Sequence, residues 1–162
     1  MNRARVLVYG TAAVILAVTL VSGPAVGFVD LTTPRYDTSG LGEGNATVDR
    51  IDAPDSVTLE RGYQSESYYL TVPDAKIRLA SLSGKPTVAY GVDIPAFGYS
   101  RSTTHFLSEG TSGWVELSLQ SDTLGSDTVT ADAYEGTISI VLRDSSGKTV
   151  LYEEPVTVEV VR

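Results

Sequence analysis

The chain shows two regimes of hydrophobic patterning. The first has no polar period: Val6 to Val21 carry no charge and are mostly apolar, and the uncharged run continues to Val29. Counted to Val29, it would reach roughly 36 Å as a helix, enough to cross a hydrocarbon core of about 30 Å. Arg3 and Arg5 stand in front of it. That positive flank predicts an N-terminus held in the cytoplasm and everything after the span outside. The absence of a polar face argues against a buried helix of a soluble protein. Counted only to Val21, the run is nearer the core of a signal peptide, and Ala25-Val26-Gly27 has the small-x-small form that precedes a cut. The run through Val29 favours a retained anchor, with cleavage before Phe28 as the alternative.

The second regime begins at Val48 and has a period of two. In GWVELSLQ, Val115, Leu117 and Leu119 alternate with Glu116, Ser118 and Gln120, as in a strand with one face on a core. Val88, Tyr90, Val92 and Ile94 share a face in PTVAYGVDI. TISIVLRDSSGKTVLYE predicts two strands around a short hairpin loop, Asp144 to Lys148, with Gly147 in a left-handed position. After Pro155, Val156, Val158 and Val160 alternate again, which reads as an edge strand interrupted by a bend. With SVTLE, ESYYLTV, KIRLASL and FGYSRSTTHFL this gives about seven to nine strands, spaced by turn signals as in a two-sheet antiparallel β-sandwich of immunoglobulin-like type. No helical stripe follows Asp30, so parallel α/β architectures are excluded for want of crossover helices. The expected organisation is a membrane anchor or signal segment over 1–29, a Gly/Thr/Asp-rich stalk or arm over 30–47, and an all-β sandwich over 48–162.

Charge changes the picture. The chain has 20 acidic and 12 basic residues, and Arg3 and Arg5 belong to the leader, so the exterior part is more acidic than the overall net charge of -8. Such a surface repels nucleic-acid phosphates and anionic headgroups. Arginine outnumbers lysine, which occurs only at Lys76, Lys85 and Lys148, and there is no cysteine. Disulfides, thiolate metal sites and cysteine nucleophiles are therefore excluded.

Candidate chemistry is sparse. His105 is the only histidine, so no histidine-rich metal site can form, and Ser100 and Ser102 beside it lack a G-x-S-x-G elbow. Asp122, Asp127, Asp132 and Glu135 fall close together, yet without the D-x-D-x-D-G spacing of a calcium loop. Neither a base, a nucleophile nor a metal cluster is signalled, and a non-enzymatic protein without a cofactor is expected. Asn45-Ala46-Thr47 is the only N-x-S/T sequon, making Asn45 the glycosylation candidate. Trp114 falls on the polar-parity face of its strand, while Tyr69, Phe97 and Tyr99 flank neighbouring strands. Such aromatics either cap a small core or form an interaction surface that stacks on sugar rings or anchors a protein.

The acidic, lysine-poor, cysteine-free composition of residues 30 to 162 resembles that of cell-surface proteins from salt-loving archaea, and the layout of one anchor followed by an acidic sandwich resembles envelope-facing stator subunits of archaeal motility filaments. The resemblance implies a single-pass membrane protein, held through residues 6–29, whose exterior domain binds a cell-envelope protein or glycan. A second resemblance starts at the leader: a cut after Gly27, Phe28 and Asp30 at the new terminus, then a Gly-rich arm, is similar to camelysin and TasA-type fibre subunits. It implies a secreted, self-associating matrix protein whose freed arm pairs with the next subunit's sheet.

Overall fold

Strict alternation of apolar and polar side chains, punctuated by glycine turns, folds the chain into strands throughout residues 40–162, the part that the computed structural model describes. The expected span over 1–29, its flanking Arg3 and Arg5, and the arm up to residue 39 lie outside the described residues. Among the described residues no helix is long and apolar enough to cross a membrane.

Ten strands are present there: β1 (Glu43–Asp52), β2 (Ser56–Arg61), β3 (Ser67–Thr71), β4 (Ala75–Lys85), β5 (Thr87–Ile94), β6 (Tyr99–Phe106), β7 (Gly113–Leu117), β8 (Asp122–Gly125), β9 (Ala133–Asp144) and β10 (Gly147–Val161). They form a three-stranded sheet, β1-β4-β7, and a seven-stranded sheet, β6-β5-β9-β10-β2-β3-β8. All neighbours are antiparallel except β10 and β2, which run parallel. The all-β, two-sheet expectation is therefore met, in an arrangement consistent with a β-sandwich.

The two sheets share one hydrophobic core. The small sheet contributes Ala75, Ile77 and Leu117, and the large sheet Leu59, Val88, Tyr90, Ile138, Ile140 and Val158, all of them fully buried. Each of the buried Val, Leu and Ile side chains contributes roughly 1.5–3 kcal/mol on leaving water. No buried side-chain nitrogen or oxygen among the described residues lacks a partner. Tyr90, the largest fully buried side chain, meets that requirement by donating its hydroxyl to the Pro73 carbonyl at 2.7 Å.

Three details differ from the sequence reading. The strand count exceeds seven to nine, partly because β1 starts at Glu43, inside the stretch read as an arm. Gly44 makes this extension feasible: at φ +99° it lies opposite Gly84, also at positive φ, and the two backbones meet without side chains between them. The short β8 also adds to the count, where period two is too brief to show. Finally, β10 is neither an edge strand nor broken at Pro155; it runs on between β9 and β2. Thr157 N–H points to Asp55 on the β2 side (3.4 Å) and Val160 N–H to Asp132 on the β9 side (3.0 Å). Pro155 shares the parity of Thr157, so its missing N–H faces the β2 side just before that ladder begins at Thr157. No ladder bond is lost there.

Candidate functional site

The outer face of the three-stranded sheet gathers charged side chains around an exposed tryptophan. In β4, Ile77 and Leu79 turn inward, which sends Lys76 and Arg78 out. In β7, buried Leu117 and half-buried Val115 send Trp114 and Glu116 out. β1 contributes through an irregularity: its register against β4 shifts between Thr47 and Val48 and again between Val48 and Arg50. A bulge of this kind re-aims side chains, and both Asp49 and Arg50 are exposed.

Cross-strand pairing sorts these groups into two rows. One is Asp52, Lys76 and Glu116; the other is Arg50, Arg78 and Trp114. Lys76 Nζ lies 3.8 Å from Glu116 Oε2, and Arg78 Nε lies 3.9 Å from Asp49 Oδ2. Both pairs are about half exposed, and such surface pairs hold about 0–1 kcal/mol. They are weak enough to be exchanged for contacts with a ligand. Trp114 is 52% exposed, and with Asp52, Lys76 and Glu116 it lines a shallow depression of about 380 Å³. An indole face flanked by guanidinium, ammonium and carboxylate groups can stack on a ring and bond its polar substituents.

The other anticipated residues lie elsewhere. Tyr69 is 48% exposed on β3 of the larger sheet, paired with Glu60 and Thr123. Phe97, in a short 3₁₀ turn after β5, packs on Tyr134 with ring centroids 4.5 Å apart. Tyr99 is half-buried and donates its hydroxyl to Asp122 Oδ2 at 3.2 Å; burial pushes its pKa up. The four aromatics therefore do not share a face, and Trp114 is the one on the small sheet. Asn45 and Thr47 are both exposed on β1, which leaves the sequon open to solvent. The residues around Trp114 that the sequence reading passed over, Arg50, Lys76 and Arg78 above all, have the polar parity of their strands as their signal. Which strands lie side by side is not written in that parity.

The acidic stretch does not converge. Asp122 is bound by Arg101, and Asp132 lies 2.6 Å from Arg162. Among the described residues no group of three or more metal-ligating side chains comes together. His105 sits in β6 with Nε2 3.2 Å from the Ser118 carbonyl, and Ser100 and Ser102 have the opposite parity, away from it. No family model matches this chain, and no curated protein matches it either.

Proposed function

We propose that the protein is a non-enzymatic, membrane-tethered module whose exterior, immunoglobulin-like β-sandwich binds a protein or glycan of the cell envelope through the Trp114 face. The observation that carries this reading is the row Arg50, Arg78, Trp114. Directly opposed like charges destabilise a strand pair; Asp49, 3.9 Å from Arg78 Nε, offsets this only in part, and a half-exposed Trp114 lies beside the pair. Two cations set side by side next to an exposed indole fit a partner that supplies the missing negative charge and a surface for the ring. Trp and Arg are also the side chains that most often dominate binding energy at interfaces. The matching partner presents a ring or sugar face next to a carboxylate or other anionic group. A glycan on Asn45 and a retained anchor over 1–29 belong to the same proposal.

The test is co-sedimentation of the protein with a detergent-washed envelope fraction. Wild type is expected in the pellet, with Trp114→Ala and Arg78→Ala left in the supernatant. Retention of both variants at the wild-type level would remove this face from the account.

A second reading, a self-assembling fibre subunit, rests on an open strand edge, and β6 does not supply one. Side chains tie the outer side of that strand to β8, so the edge that can accept an added strand is β1, whose ten residues pair with β4 on one side only. Fibres seen by electron microscopy only after release of residues 1–27 would select it.

A further inference from the structure

Charges on the Trp114 face are ordered along the strands. Arg78 stands in register with Arg50 on one side and Trp114 on the other. The row two residues on, roughly 7 Å away, holds Asp52, Lys76 and Glu116. Asp49 belongs to neither row. Val48 pairs with Leu79 and Arg50 with Arg78, so Asp49 is the residue that the bulge leaves without a partner in register. Its carboxylate is nevertheless the one that approaches Arg78, at 3.9 Å from Nε. Arg50 makes no ion pair among the described residues. One loosely held, half-exposed carboxylate therefore serves two cations, and an exposed pair of that kind is weak.

This order makes three demands on whatever binds. Over Arg50 and Arg78 it must place an acid group, which a guanidinium fork takes in bidentate fashion. Beside that group it must lay a flat, largely apolar surface on the indole of Trp114, which is half exposed. On the next row Asp52 and Glu116 share the depression of about 380 Å³ with Lys76 and Trp114. Ionised carboxylates only accept hydrogen bonds, so the group seated there must donate, as hydroxyls do, and a second acid group would be repelled. A chain of sugar rings with an acid group on alternate rings meets all three demands. An acidic peptide meets the first and lacks the hydroxyl-bearing ring that the other two require. With a net charge of -8 the protein also holds densely charged polymers off its surface, which favours a ligand with widely spaced charges.

We propose that the ligand of this face is an acidic polysaccharide in which a uronate alternates with a neutral ring, its carboxylate taking the place of Asp49 at Arg78 and Arg50. The assignment rests on the Trp114 reading above and names the ligand class for it. The ring stacked on Trp114 carries the acid group toward the arginines, and the neighbouring neutral ring gives its hydroxyls to Asp52 and Glu116 and accepts from Lys76. Asp49 is then a resident competitor: it partners Arg78 while the face is empty and yields to the ligand. Its removal should strengthen binding, the opposite of what is expected for a side chain that contacts the ligand.

Isothermal titration of the full chain in nonionic detergent tests this with three probes. Hyaluronan oligosaccharides alternate a uronate with a neutral ring, dextran has rings without charge, and polyglutamate has charge without rings. Hyaluronan is expected to bind, with dextran and polyglutamate weaker by about tenfold or more. Trp114→Ala and Arg78→Ala should each weaken hyaluronan about tenfold, and Asp49→Ala should tighten it about threefold. Glu153→Ala removes the same charge from an exposed position on the other sheet and should leave the affinity unchanged. No hyaluronan binding up to about 1 mM, or dextran binding as tightly, would overturn the proposal. So would polyglutamate binding as tightly, which would point to an acidic protein, or an Asp49→Ala variant no tighter than Glu153→Ala. Envelope retention is a separate readout. A pellet lost on Trp114→Ala without hyaluronan binding keeps the Trp114 face and rejects the acidic sugar, whereas hyaluronan binding with a pellet indifferent to Trp114→Ala keeps the ligand chemistry and rejects the envelope partner.

Discussion

Arg101 and Asp122 tie together the two ends of the seven-stranded sheet. Arg101 lies on β6, the first strand of that sheet, and Asp122 on β8, the last, and the guanidinium donates to the carboxylate. Tyr99 Oη donates to the same carboxylate, and His105 meets the Ser118 carbonyl one strand-length along. The sheet therefore curls until its outer strands are joined by side chains where no backbone ladder connects them. An edge handled this way is less available for unwanted pairing.

The tie is pH-dependent. The Thr123 N–H (2.8 Å) and then Arg101 hold the Asp122 carboxyl below its ordinary 3.8. A depressed carboxylate stabilises the fold fully above its unfolded value, and that contribution is lost as pH falls through the folded value. Thermal unfolding of wild type and Asp122→Asn should therefore differ at pH 7, wild type melting higher, and the gap should close below pH of about 4. A gap unchanged at pH 2 would show that the carboxylate's charge plays no part.

Gly44 and Gly98 offer a contrast in how glycine matters. Gly44 sits at φ +99°, and a Cβ there would collide with the Ser83 carbonyl oxygen and come within 2.7 Å of Gly84 Cα. Its own N–H and C=O bond to Ser145, in the turn between β9 and β10, at 2.7 and 2.9 Å. Gly98 sits at φ +58° with nothing near its would-be Cβ. Gly44→Ala should cost about 2 kcal/mol or more in urea unfolding and release β1, against about 1 kcal/mol for Gly98→Ala. Equal costs would mean that the Gly44–Gly84 crossing is not tightly packed.

Much of the fold was legible because one buried face imposes a period of two. Val115 and Leu117, or Val88 to Ile94, declare their strands and their inward side at once. Where the pattern carried less information, the reading fell short. Gly44 and Asn45 look like a flexible arm until Gly84 is known to lie opposite, and Pro155 looks like an edge signal until its neighbour is known to begin at Thr157. The site was half legible for the same reason. Parity marks Trp114 as outward, but only the pairing of β1, β4 and β7 brings Arg50 and Arg78 beside it, and sequence-distant pairing leaves no local trace. Tyr99 and Phe97 look equally exposed by pattern; Asp122 and Tyr134, contributed by later strands, cover them.

Tyr90 tests the polar content of the core. Its hydroxyl is buried and bonded to the Pro73 carbonyl, and burial pushes its pKa well above the ordinary value of 10.0. Burial favours the neutral phenol, which is the form that donates to the Pro73 carbonyl. Tyr90→Phe keeps the ring and removes the donor, at an expected cost of about 1–2 kcal/mol in chemical denaturation. A neutral result would show that water replaces the hydroxyl at Pro73.

Strand β7 supplies the sharpest comparison, because Trp114 and Leu117 sit three residues apart with opposite parity. Leu117 is fully buried between the sheets, so Leu117→Ala removes core volume and should cost about 2–5 kcal/mol. Trp114 is 52% exposed and makes no ring contact with another aromatic among the described residues. Trp114→Ala should therefore change stability by no more than about 0.5 kcal/mol, the range of ordinary surface substitutions. Urea unfolding followed by far-UV circular dichroism measures both variants on the same footing. A loss at Trp114 as large as that at Leu117 would make the indole part of the packing. The row with Arg50 and Arg78 would then have a structural explanation, and the binding face would lose its central residue.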